Sequence, residues 1–321
     1  MSNNSSLLNA TVSRLTASEI RAYTFLLILE VTVVPVIVCG NLLIIVAVLR
    51  FHSLRNPSNT MIMSLAFADL MMGGIYLPLK ILLSQQPQLF VNRVSCLVNT
   101  FLSFFCVTNA MSFLSLISME RFYAVQFPFH YHSYMTITRS LVWSFLVFMV
   151  SVVIAVPTVS GIDRWKPGKL CFTSNVTPRS YVTGAILMLF IISFLGFLSF
   201  LRVMAAEISI RLKDNARSVN EARTQDSMKA TLMLTVYVFS IICWIPQLVY
   251  TGIAVFNPAV ASELGLRSVS FLGICSSGVN CFIYGIKNRQ FKAAFKKIFG
   301  CKTSSVDVDD STRVSTVQTG S

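Results

Sequence analysis

Residues 115–128 read SLISMERFYAVQFP, and they end a long apolar run on two opposite charges, Glu120 and Arg121, followed by Phe122. One charge at such a boundary is an ordinary anchor. A carboxylate beside a guanidinium is an ion pair that can be made and broken. On a helix the two side chains diverge by roughly 100°, yet both are long enough to meet. Asp226, ahead of a later apolar run, is a second carboxylate able to compete for Arg121. An arginine between two rival carboxylates has the chemistry of a clamp that releases. The plainer alternative is an arginine that snorkels to a membrane surface.

Other polar groups sit where apolar residues dominate. Asp69 in SLAFADLMM lies about eleven residues into its apolar segment, on the order of 16 Å along a helix. A carboxylate near a bilayer midplane is costly and marks a functional site by default. Asn41 in CGNLLIIVAV and Asn280 in SSGVNCFIYG are placed similarly, with Ser276 and Ser277 beside the latter. They read either as interhelical hydrogen-bonding glue or as a shared polar pocket for water or a cation. Catalytic chemistry is not indicated. His52, His130 and His132 lack a further ligand for a metal, and no nucleotide loop or nucleophile motif appears. We therefore expect neither an enzyme nor a resident cofactor.

The elements that hold these residues follow from composition. Of 321 residues, 54% are apolar and 12% charged, about half the charge a soluble surface carries. Seven segments, approximately 22–49, 58–83, 94–126, 136–158, 180–205, 229–255 and 266–286, are long enough to cross roughly 30 Å of hydrocarbon as helices. The fold expected is an all-α membrane protein, a seven-helix bundle over 22–286. It is preceded by an outward N-terminus (1–21) and followed by an amphipathic helix on the inner leaflet (287–301) and a disordered tail (302–321). With the N-terminus outside, 17 of the 26 Lys and Arg residues fall on the inner side, as the positive-inside rule requires. A net charge of +13 thus reports topology, not nucleic-acid binding. The plasma membrane is the expected location.

In KNRQFKAAFKKIFGC the residues Phe291, Phe295, Ile298 and Phe299 form one helical stripe among basic residues, suited to lying on a lipid surface. Cys301 at its end reads either as a palmitoylation site or as an unmodified thiol. Asn3, Asn4, Asn9 and Asn175 each begin an Asn-x-Ser/Thr triplet, so the start of the chain is either glycosylated or merely polar. Only Cys96 and Cys171 fall on the oxidising side, which permits a single bridge. From Cys96 to Arg121 is roughly 37 Å of helix, about one membrane crossing.

Taken together, GNLL around Asn41, SLAFADL around Asp69, Cys96, MERFYAV around Arg121, Trp143, Pro157, CWIP with Trp244 and Pro246, and NCFIY ending in Tyr284 resemble the rhodopsin-like G-protein-coupled receptors. The order of these motifs, one per helix across nearly the whole chain, is specific where each alone would be weak. The resemblance implies that Glu120-Arg121-Phe122 matches the family's Asp-Arg-Tyr triad, restrained at rest and released to meet a G protein. It implies that Asp226 is the acidic partner from the sixth helix. Trp244 is the implied rotamer-sensitive residue beneath the ligand, with Pro246 kinking its helix. Asp69 and Asn280 match the sodium-linked pocket, so a sodium ion is an implied modulator. Heterotrimeric G proteins, arrestin, receptor kinases and an extracellular small molecule are the implied partners. Departures are Phe122 for tyrosine, Cys281 for the proline before Tyr284, Ala110 for a sodium-coordinating serine, and a fifth span without proline or an inner tyrosine.

The expected ligand wall carries Thr100, Ser103, Phe104 and Val107 on the third span, Trp244, Gln247, Leu248 and Thr251 on the sixth, and Ser270 on the seventh. Where amine receptors hold an aspartate this chain has Ser103, and Ile274 replaces the opsin lysine. The ligand expected is small, non-aminergic, and neutral or weakly polar. Glu30 and Lys80 either pair with each other or one of them meets a charged ligand. A transporter or channel would show internal repeats or several pore-lining ionisable groups, and neither is present. An odorant-type receptor of the same fold is the alternative, against which the PMYFFL pattern is missing before Asp69.

Overall fold

The computed structural model describes residues 16–85, 92–161, 164–166, 176–214, 221–260 and 262–300, with side chains at 207, 210–214, 221–234 and 258 not described. Asn3, Asn4, Asn9, Cys171, Asn175, Cys301 and the Asp226 side chain therefore lie outside the described residues. Among those residues the structure is helical throughout, and seven helices are long and apolar enough to cross a membrane. They are Ala17–Arg50, Pro57–Gln85, Arg93–Gln126, Ile137–Thr158, Arg179–Asp214, Glu221–Phe256 and Glu263–Lys287, taken in that order as the first to seventh spans. Two shorter helices follow the third and seventh spans, Pro128–Tyr134 and Arg289–Ile298.

The helix starts are written locally. Thr16 and Glu19 form a reciprocal capping box at the first span, and Asn56, Asn92, Thr136 and Ser262 each accept a backbone N–H at the start of the second, third, fourth and seventh. Such caps satisfy N–H groups that the helix cannot. Where helices end is less local. The first begins at Ala17 rather than 22, the fifth reaches Asp214 rather than 205, and the sixth starts at Glu221 rather than 229. Apolar runs mark the hydrocarbon, whereas a helix continues for as long as its polar flanks still favour it.

The third span is the hub. It packs on the second, fourth, fifth and sixth, and 67% of its most apolar stretch is buried, against 17% for the fifth and sixth. The first and seventh spans pack together and against the second. In the second span a π turn, Met72–Tyr76, precedes Pro78. Proline cannot donate a backbone hydrogen bond, and one wider turn absorbs the loss. Gly73 lies within that turn, and a Cβ there would collide with Ile37 of the first span. The turn therefore lets two helices approach closely while it redirects the residues beyond it, including Lys80.

The last helix corrects an expectation. Phe291, Ala294 and Phe295 are buried in the same apolar core as Tyr284, Ile44 and Leu54, and Tyr284 and Phe291 lie 5.6 Å apart between ring centroids. Much of the stripe predicted to lie on lipid instead packs on the bundle, leaving Phe299 exposed. A stripe of four apolar residues reports that one face is covered, not by what.

Candidate functional site

Three sets of polar side chains run along the bundle: a cavity at one end, a buried pocket at mid-depth, and an arginine cluster at the other end. The cavity opens between the second, third, fifth, sixth and seventh spans and encloses about 1100 Å³, its mouth included. Thr100, Ser103, Phe104 and Val107 share one face of the third span and reach its wall, as do Gln247, Leu248, Thr251 and Ser270. Trp244 does not line it. One turn along the sixth span, its ring is buried among Ile37, Met72, Tyr76, Phe105 and Ile274. Gly273 lets the seventh span pass there, because a Cβ would stand 2.7 Å from the indole. Pro246, two residues on, lies inside the helix and removes one of its backbone hydrogen bonds, which permits a bend.

The wall is less neutral than expected. Lys80, Glu263 and Arg267 also line the cavity. Glu30, with no exposed surface, accepts hydrogen bonds from Arg267 Nε at 3.1 and 3.2 Å and from Nη2. Lys80 Nζ stands 3.3 Å from its other oxygen. Glu30 and Lys80 do pair, but a third helix joins them. The expected seventh span begins at 266, one residue before Arg267. The helix in fact starts a turn earlier, at Glu263, and carries Arg267 inward. An arginine four residues into a capped helix was the available signal.

At mid-depth Asn280 Nδ2 donates to Asp69 Oδ2 at 2.8 Å, and Asn41 Nδ2 donates to the Ser277 carbonyl at 3.1 Å. These bonds tie the first, second and seventh spans. Ser276 donates to the Gly273 carbonyl within its own helix, at 2.7 Å. The amide oxygens of Asn41 and Asn280 have no protein donor. These oxygens and the Asp69 carboxylate are of the donor type hard cations prefer, and Ala110 adds none. Among the described residues no group of three His, Cys, Asp or Glu could hold a metal ion.

At the far end Glu120 is 3% exposed and meets Arg121 directly, through Nε at 2.6 Å and through Nη2. Two groups that sequence reasoning missed complete the cluster. Ser58 of the second span donates to Glu120 at 2.8 Å, and Tyr131 of the short Pro128–Tyr134 helix donates to the same carboxylate. Burial, then the Glu120 charge, pushes the Tyr131 hydroxyl up to about 12, so it stays a neutral donor at physiological pH. Asp226 belongs to the sixth-span helix, but its side chain is outside the described residues. Phe122 packs against the apolar core. A small crevice beside Arg121 is lined by Leu114, Val236, Tyr237 and Tyr284. Tyr237 donates to the Ser193 carbonyl at 2.8 Å, so a tyrosine of the sixth span reaches the proline-free fifth. Cys96 is buried and disulfide-bonded; Cys171, its expected partner, lies outside the described residues.

Comparison with known proteins gives this geometry its setting. The family model described as "7 transmembrane receptor (rhodopsin family)" matches residues 40–284. The chain is similar to melatonin receptor type 1A of Ovis aries, 28% identical over 91% of this chain and 82% of that one. It is also similar to trace amine-associated receptor 13c of Danio rerio, 24% identical over 87% of each. Histamine H2 receptor of Canis lupus familiaris is 26% identical over 84% of this chain and 77% of its own length. The matched region takes in the mid-depth pocket, the arginine cluster and most of the cavity wall, so the chain belongs to the rhodopsin family of seven-transmembrane receptors and is a multi-pass membrane receptor.

Proposed function

We propose that this receptor binds a small, non-aminergic ligand in the cavity and answers by opening the arginine end to a heterotrimeric G protein. The observation that carries the reading is the pairing of two separated sites in one bundle. One is an open cavity without an aspartate at Ser103; the other is a buried carboxylate, Glu120, held on Arg121. Trp244 and Pro246 lie between them on the sixth span, of whose most apolar stretch 17% is buried. A ligand that prefers the open bundle shifts the population by its differential affinity, and one that binds both states equally shifts nothing.

In this reading the cavity faces outside and the arginine cluster, the Arg289–Ile298 helix and the tail face the cytoplasm, where arrestin and receptor kinases would also engage. Asp69, Asn280 and Asn41 would hold a sodium ion in the resting state, opposing activation. The test uses dissociation sensors for each Gα class in cells expressing the full chain. Glu120→Gln is expected to raise basal signalling through at least one class, and Arg121→Ala to remove it. Silence from every class with Glu120→Gln at the cell surface would end the coupling proposal.

A further inference from the structure

The cavity's charged wall is unevenly paired. Glu30, sealed from solvent, serves two cations, Lys80 from the second span and Arg267 from the seventh. One carboxylate in contact thus serves two cations. Both cations have donors to spare. Arg267 commits Nε and Nη2 to Glu30, which leaves Nη1. Lys80 Nζ is buried within ion-pair distance of Glu30 but makes no hydrogen bond of acceptable geometry. A buried cation with unmet donors is costly, and an anion that reaches it recovers that cost.

Among the described residues Glu263 is the one further carboxylate on this wall. It lies in the first turn of the seventh span, near enough to interact electrostatically with both cations, yet it forms no ion pair with either. Counting Glu263, the described wall carries two cations and two carboxylates, of which only Glu30 is in contact with the cations. Below the charged rim the wall turns apolar, with Phe104, Val107, Leu189 and Leu248. An ammonium group entering here would find Ser103 where it needs a carboxylate, and two cations overhead.

We propose that the cavity selects a small amphiphilic organic anion, its acid group held between Lys80 Nζ and the Arg267 guanidinium and its apolar body against Phe104, Val107 and Leu248. This deepens the receptor reading and rests on it for the cavity being the ligand site. With its fork engaged by Glu30, the guanidinium offers Nη1 as a charge-assisted donor to an incoming carboxylate. The acid supplies a second carboxylate in contact with Lys80 and Arg267, which now share Glu30 alone. Because Arg267 also ties the seventh span to the first, an anion drawing on it would loosen that tie. That gives ligand binding a mechanical consequence.

The test needs no ligand in hand. Ser103→Cys places a thiol on the cavity wall, and its labelling rate is measured at the surface of cells expressing the full chain. The probes are the anionic sulfonatoethyl and the cationic trimethylammonioethyl methanethiosulfonates, with the Ser103-containing receptor as background. Relative to a free thiol in solution, the anionic-over-cationic rate ratio is expected to rise several-fold, below the roughly tenfold or more of a cleft lined by one sign of charge. Lys80→Gln and Arg267→Gln should each reduce it, since each leaves Glu30 with one cation. Glu30→Gln and Glu263→Gln should each increase it. These opposite directions cannot both come from misfolding, and Thr251→Cys repeats the reading from the facing wall. A ratio equal to or below that of the free thiol, or one unmoved by Lys80→Gln and Arg267→Gln, overturns the proposal. The G-protein sensors are read separately, so lost coupling with the rate order intact defeats the receptor reading alone. Coupling intact with the rate order absent defeats the anion alone.

Discussion

The two ends of the bundle each bury a carboxylate against a guanidinium, and they use it differently. Glu120 and Arg121 are neighbours in sequence, and the groups around them, Ser58 and Tyr131, contribute hydroxyls. Glu30 and Arg267 are 237 residues apart and join the first and seventh spans, with Lys80 adding the second. Arg121 can therefore leave Glu120 by a side-chain rotation, without separating any helices. Arg267 cannot leave Glu30 without freeing one span from another. The lesson is that an ion pair's role follows from what its two ends are attached to. The adjacent pair suits a switch and the distant one a fastening.

The largest effect should come from breaking the fastening. Glu30→Ala leaves two buried cations without their shared carboxylate, and loss of about 3–5 kcal/mol is expected, read as a fall in the thermal midpoint of the detergent-purified receptor. Next, Gly73→Val forces a side chain into Ile37, and overpacking of this kind costs about 1–3 kcal/mol or more; the same melt measures it. On the switch side Glu120→Gln should change the midpoint little but raise basal G-protein signalling about tenfold, as the loss of roughly 1.4 kcal/mol of charge-assisted pairing shifts the population. The smallest change is Tyr131→Phe, which removes one neutral donor and about 1 kcal/mol. Its basal signal should rise about fivefold at most. If Glu120→Gln lowered the melt as far as Glu30→Ala, the distinction between switch and fastening would collapse.

Much of this was legible because membrane helices obey simple rules. An apolar run long enough for hydrocarbon, a polar cap before it and a lone Asp69 within it are local statements. They located seven spans, and the ends of the third and fourth to within a residue. The periodic stripes on the third and sixth spans likewise put Ser103, Phe104, Gln247 and Thr251 on one wall, since residues three or four apart share a helix face. What escaped was pairwise. Arg267 resembled any basic residue at a helix start until the fold set it on Glu30. Ser58 and Tyr131 carried no motif, and nothing local says that their hydroxyls converge on Glu120. The Phe291 and Phe295 stripe announced an apolar surface but not its cover.

By itself the sequence determined the class of fold, the number of crossings and the chemical type at each depth, because bilayer thickness and helix periodicity act on one segment at a time. Only the tertiary structure decided which charges meet. Glu30, Lys80 and Arg267 lie on three separate helices, and whether they pair depends on the rotation and depth of each helix. Those are set by packing along its whole length, at contacts such as Ile37 on Gly73 and Trp244 on Gly273.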